Sequence, residues 1–344
     1  MQRGPASRFV RVAVRLAAAI TLLAAAVWIV GVGRLRQQLI HVDLFWLSCA
    51  VLIMAAAQWV SVLRWETIAR IFGLRVRMRM LALAYAQGMT VNVLLPGATL
   101  GGDALRSVRL QGLGNPLRVS ALTVLLDRLS GLWTLCVLSL LSGVGLGFAL
   151  HWRLATGAET PAVALPSSAA FLASAPFFGA YLLALALVCS IPWLPLRARR
   201  SAGAQAAAIL EGQSWMARWW GRLCELHDLA IAQRAPLGRS LWSSLVVQVL
   251  CAVSLWFCAI AAGGTAGYWQ VQAVAAPVFV AGALPLSYGG FGARELTALV
   301  AFPLVGLPAD LGLAASALYG IVGVILGLAA APSLAVATAR GTER

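Results

Sequence analysis

Apolar runs of about 20 residues, punctuated by short arginine-bearing segments, recur along this 344-residue chain and leave few folds open. A run of that length crosses a bilayer as a helix, because a helix satisfies its own backbone polar groups where no water is present. Six runs read as full spans: 16–33, 44–63, 119–150, 169–193, 241–262 and 311–336. Arginine gathers between them: Arg3, Arg8, Arg11 and Arg15 precede the first, and Arg64, Arg70, Arg75, Arg77 and Arg79 follow the second. The stretch 196–240 adds Arg197, Arg199, Arg200, Arg218, Arg222, Arg234 and Arg239. Basic residues of this kind stay on the cytoplasmic side. The expectation is one integral membrane domain over 1–344, in a bacterial cytoplasmic membrane, with both termini in the cytoplasm.

Composition supports this. Charged residues make up 11% and hydrophobic ones 61%, whereas soluble domains carry roughly a quarter charged residues. The net charge is +15 and every basic residue is arginine. Because the arginines sit in loops between apolar runs, they serve topology rather than nucleic-acid binding. Within 209–231, Met216, Trp219, Trp220, Leu223 and Leu226 fall opposite Arg218, Arg222 and Glu225. That pattern predicts an amphipathic helix on the inner leaflet, with arginines toward anionic lipids.

Known catalytic and metal chemistry is not indicated. Six cysteines form no CxxC pair, and His41, His151 and His227 lie far apart. There is no HExxH, GxSxG or P-loop. The absence of lysine removes a Schiff base and a Walker lysine as well. No catalytic residue, metal or cofactor is therefore expected.

Two apolar stretches do not read as simple spans. Residues 81–110 and 269–300 each hold a helical half, then Leu-Pro, a glycine-rich turn, charges and a second helical half. In the first, Leu95-Pro96-Gly97 leads to Gly101-Gly102-Asp103 and Arg106; in the second, Leu284-Pro285 leads to Gly289-Gly290, Gly292 and Arg294-Glu295. Broken backbone at membrane depth must be buried in protein or line a polar cavity. Both stretches are expected to be re-entrant or broken hairpins. Three spans lie between them, an odd number, so the two should enter from opposite faces. That is the signature of an inverted-repeat transporter with its site between the broken elements. The fold class is thus an all-α polytopic bundle of about six full spans plus two re-entrant hairpins, or up to eight spans if the hairpins cross.

Charge within the apolar sequence is costly, about 2.5–3.5 kcal/mol per residue at mid-membrane on insertion scales. It falls in three clusters: Asp103, Arg106 and Arg109; Asp127-Arg128; and Arg294-Glu295. Each contains both signs, so pairing lowers the cost. Arginine offers a planar fork for phosphate, and a helix starting after Gly101-Gly102 would favour an anion. Arg106, Arg128 and Arg294 are expected to hold a phosphate head group. Asp103, Asp127 and Glu295 would balance charge or meet a cationic head, with Asn92 completing the lining. Pro96, Gly97, Gly101, Gly102, Pro285, Gly289, Gly290 and Gly292 would shape and hinge the broken elements.

The segments 92–106 (NVLLPGATLGGDALR), 126–129 (LDRL) and 285–295 (PLSYGGFGARE) together resemble the flippase-like transmembrane domain family of lysylphosphatidylglycerol synthases. That family includes free-standing members and the membrane half of the two-domain multiple peptide resistance proteins. The likeness covers roughly residues 10–335. It implies a membrane bundle that moves a lipid between leaflets, with a lipid-modifying enzyme as a possible partner. The two-domain relatives carry a soluble aminoacyl-transferase after the membrane part. Here the sequence stops at Arg344, so synthase activity is not expected in this chain. The alternatives are a membrane enzyme acting on a lipid head group and a non-transporting scaffold.

Overall fold

The structure is a computed structural model that describes residues 42–94, 99–156, 175–190, 234–284 and 291–339. The expected span 16–33, the amphipathic segment 209–231, and Pro96, Gly97, Pro285, Gly289 and Gly290 lie outside the described residues. All regular elements among those described are helices. In chain order they are α1 (Leu44–Ile71), α2 (Met78–Leu94), α3 (Thr99–Gly112), α4 (Leu117–Thr156), α5 (Ala175–Ser190), α6 (Arg234–Ala261), α7 (Tyr268–Ala283), α8 (Ala293–Leu304), α9 (Ala309–Ala329) and α10 (Pro332–Ala339).

Four helical segments are long and apolar enough to cross a membrane: Leu44–Ile71, Leu117–Ala149, Pro236–Ala261 and Ala309–Ala335. Two of them extend well into polar sequence beyond the hydropathy-based bounds. Helix α1 continues eight residues past Leu63, and α6 begins at Arg234 rather than Leu241. Hydropathy marks where apolar side chains stop, but backbone hydrogen bonding continues through the polar turns beyond. Asp43 caps α1, its carboxylate accepting from the backbone N–H of Phe45 at 2.8 Å and of Trp46 at 3.4 Å.

Each apolar stretch with a break is a pair of short helices. Helices α2 and α3 (17 and 14 residues) form the first pair; α7 and α8 (16 and 12 residues) form the second. A long helix precedes and follows each pair, giving two sets of four, α1–α4 and α6–α9. The turns in the two sets match bond for bond. Gly73 and Gly263, 190 positions apart, both have positive φ and close the first helix of their set. Leu74 N donates to Ala69 O, and Gly264 N donates likewise to Ala259 O. Gly114 and Gly306, 192 positions apart, repeat the pattern after the second short helix. There Asn115 N donates to Leu110 O, and Leu307 N to Phe302 O. Only glycine adopts such a left-handed conformation without steric cost.

The equivalent helices α1 and α6 run antiparallel. Asp43 N donates to Ala261 O at 2.9 Å, Ser254 Oγ to Ala50 O at 3.0 Å, and Arg64 Nη1 to Ser244 Oγ at 3.3 Å. Small residues let these helices approach: Ala50, Ala57, Ala252 and Ala259 are fully buried. Around this central pair, α2 packs against α9 and α7 against α4. Thr90 Oγ1 donates to Gly327 O at 3.0 Å, and Ser139 Oγ accepts from Ala276 N at 3.0 Å beside Pro277. The serine hydroxyl thus gives a backbone N–H next to the proline a partner from another helix.

Candidate functional site

The first four helices bury a charge network whose members run from Arg64 to Arg128 in the sequence. Asp127 of α4 is 1% exposed and is held by two guanidinium groups. Arg64 Nε of α1 donates to its Oδ1 at 2.8 Å, and Arg106 Nη2 of α3 to its Oδ2 at 3.0 Å. Arg106 also reaches Asp103, one helical turn back, at 3.4 Å. Asp103 in turn takes Arg128 in a forked contact, 2.9 Å from Nε and 2.7 Å from Nη2. The Arg106 guanidinium lies 4.0 Å from the Trp65 ring centroid and 4.6 Å from that of Tyr85. Each such desolvated cation–ring contact contributes about 2 kcal/mol. Trp65 is fixed by its own indole N–H, which donates to Thr123 Oγ1 at 3.2 Å.

The second four helices hold a smaller, similar arrangement. Arg294 Nη2 donates to Glu295 Oε1 at 2.7 Å, and Arg294 Nε to Ser316 Oγ at 3.2 Å. Its guanidinium stands 5.2 Å from the Phe291 ring and 5.7 Å from the Tyr319 ring. Glu295, fully buried, also accepts from the backbone N–H of Gly292, the positive-φ residue at the start of α8. Arg294 fits because α9 offers no side chain at Gly320, where a Cβ would overlap the guanidinium and the Phe291 ring.

Both arrangements open onto one cavity of about 270 Å³. Asn92, Arg106 and Arg128 line it from the first set, Arg294 from the second, with Tyr85, Phe291 and Tyr319 between them. Met54, Met89, Val93 and Val324 give it an apolar side. The sequence-predicted residues thus divide into two groups. One arginine from each of the three clusters (Arg106, Arg128 and Arg294) meets Asn92 in this space. Asp103, Asp127, Glu295 and Arg109 do not line it; the three carboxylates stand behind the arginines and are occupied by them.

Three expectations need correction. Arg64, read as part of a cytoplasmic basic segment, is 4% exposed and paired with Asp127. Gly101 and Gly102 do not precede a helix; α3 starts at Thr99 and they sit inside its first turn. Gly102 serves close approach instead. Its N–H is already taken by Asn92 Oδ1 at 2.8 Å, and a Cβ there would overlap the Gly88 carbonyl. Finally, no carboxylate among the described lining residues is placed to meet a cationic head group. Sequence reasoning missed Trp65, Tyr85 and Tyr319. An aromatic ring in an apolar helix gives no local sign that it faces a buried arginine.

An all-helical membrane bundle, with two pairs of broken helices closing on an arginine-lined cavity, defines a class of polytopic membrane protein with an internal polar site. Residues 12–331 match the family described as the lysylphosphatidylglycerol synthase TM region, and the chain belongs to that family. Comparison with individually curated proteins finds no match.

Proposed function

We propose that this protein moves a phosphate-bearing lipid head group between the leaflets of the bacterial cytoplasmic membrane, without bond chemistry of its own. The observation that carries the reading is the shared cavity. Arg106 and Arg128 reach it from one four-helix set and Arg294 from the other. An arginine fork matches phosphate geometry, and an arginine held between aromatic rings is already positioned for it. The family's link to a lipid synthase supports a lipid-related role.

The two sets form an inverted repeat in this reading, supported by the antiparallel packing of α1 and α6 and the matching turns. Arginine placement supports the same topology. The loops that open the first pair, 72–77 and 113–116, adjoin Arg70, Arg75, Arg77, Arg79 and Arg118. The corresponding loops of the second pair, 262–267 and 305–308, contain no basic residue. By the positive-inside rule the first pair enters from the cytoplasm and the second from outside. Broken helices entering from both faces give a head group a polar path while its acyl chains stay in hydrocarbon.

The test is reconstitution. Vesicles with an acyl-labelled phospholipid should lose outer-leaflet asymmetry faster with protein than without, read by chemical quenching of the exposed label. Arg106→Ala and Arg294→Ala should each reduce the rate to that of empty vesicles. Full activity in both variants contradicts the site assignment, and no activity in the wild type contradicts translocation.

A further inference from the structure

Beside its arginines the cavity holds two uncharged polar side chains that the ion pairs do not use, and what they imply rests on the head-group reading above. Gln58 of α1 and Tyr85 of α2 both line the space. The Tyr85 hydroxyl donates to Gln58 Oε1 at 3.0 Å. The only acceptor that the described residues offer the Gln58 amide nitrogen is Met54 Sδ, at 3.4 Å. A thioether is a weak acceptor, so this NH2 group is the poorly satisfied end of a polar side chain at membrane depth. No described residue donates to the Tyr85 oxygen, which keeps its capacity to accept.

Room for a further group exists at this point. Gly323 of α9 also lines the cavity, and a Cβ there would meet nothing within 4 Å. The other half provides the contrast. Gln248 lies 190 positions after Gln58, and Gly131 lies 192 before Gly323. In that counterpart pair, a Cβ at Gly131 would stand 3.2 Å from Gln248 Nε2 and 3.1 Å from Arg64 Nη1. The same two residue types are therefore packed closed in one half and leave space in the other.

A hydroxyl group suits the open pair, because it accepts and donates at one atom. It accepts from the Gln58 NH2 and donates to the Tyr85 oxygen. An ammonium only donates and an ionised phosphate oxygen only accepts, so each satisfies one side alone. The Tyr85 ring also stands 4.6 Å from the Arg106 guanidinium, which places the hydroxyl position beside an arginine for the phosphate.

We propose that Gln58 and Tyr85 form a specificity subsite for a hydroxyl of the head group, so that the lipid carried is a phosphodiester with a glycerol-like or sugar-like head. A head group of equal charge and size without a hydroxyl leaves both side chains unpaired, and such sites discriminate strongly against the missing group. Further substituents on the head group are not constrained by this pair.

Binding and movement are measured separately on the full-length protein. Binding is read by native mass spectrometry in an amine-oxide detergent, which carries no hydroxyl, with phosphatidylglycerol and phosphatidylpropanol in competition. These lipids carry the same single charge and differ only in the head-group hydroxyls. Movement is read in vesicles with acyl-labelled forms of both. Phosphatidylglycerol should be preferred by about tenfold, roughly 1.4 kcal/mol. Gln58→Leu and Tyr85→Phe should each bring that ratio close to one; the second variant keeps the ring beside Arg106.

Equal binding of the two lipids by the wild type, the result if water alone serves the pair, overturns the hydroxyl subsite and leaves translocation to the movement assay. Preference for phosphatidylglycerol without movement supports the subsite and overturns translocation. A variant that folds and binds both lipids more weakly by the same factor shows a structural role only and contradicts the proposal. If water-soluble glycerophosphoglycerol displaces the lipid at equal concentration, the ligand is the soluble diester and the lipid assignment falls.

Discussion

A single carboxylate organises the first charge network. Asp127 is bonded to Arg64 and Arg106 from two other helices, and both arginines are nearly inaccessible. Removing one member of such a set leaves the others charged and unpaired, which costs about 3–5 kcal/mol. Asp127→Asn should therefore lower the thermal unfolding midpoint in detergent markedly. Arg128→Gln, at a half-exposed position, should leave the midpoint nearly unchanged while impairing lipid movement. A midpoint for Asp127→Asn equal to the wild type would mean the two guanidinium groups do not depend on it. The sequence reveals Asp127 as a charge in an apolar run, but it gives no hint that Arg64 is its partner. Arg64 lies one residue past the apolar run and looks like its basic flank. Only the continuation of α1 beyond that point carries it into the bundle.

At the level of elements, the two arms of the first broken pair touch backbone to backbone. Gly88 of α2 and Gly102 of α3 face each other, and Asn92 fastens the contact through the Gly102 N–H. In an ordinary helix, Gly→Ala stabilises by about 1 kcal/mol. At Gly102 the added methyl meets a carbonyl oxygen that cannot rotate aside, so overpacking of about 1–3 kcal/mol or more should win. Gly101 is the control. A Cβ there lies 3.5 Å from Val91 Cγ1, an ordinary contact, so Gly101→Ala should be neutral or slightly stabilising. Unfolding midpoints of the two variants check this, and an equal effect in both contradicts the packing account. The sequence marks both glycines alike as a turn; their different roles depend on which face α2 presents. The breaks themselves were legible because Pro, Gly and charge interrupt an apolar run where hydrocarbon tolerates no free backbone.

For the whole molecule, the likeness of the two halves was visible only at its least regular point. Pro96 and Pro285 are 189 positions apart, while the flanking turns differ by 190 before the break and 192 after it. The long helices contribute no sequence signal to this match, because any apolar residue suits a lipid-facing surface. What relates them is backbone geometry: the same glycine-closed turns and the antiparallel pairing of α1 with α6. The two halves differ in chemistry. Position 127 is aspartate, whereas position 319, 192 further on, is the tyrosine that faces Arg294. The buried network of one half thus joins three arginines and two carboxylates, that of the other one of each. If the proposed function holds, both halves contact the same lipid head group. The most direct measurement of this contact uses a phospholipid with a photoactivatable group in the head, cross-linked in reconstituted vesicles and mapped by peptide mass spectrometry. Adducts are expected on both Tyr85–Val93 of α2 and Tyr319–Val324 of α9. Adducts confined to one half, or to outward residues such as Leu52 and Trp59, would contradict it.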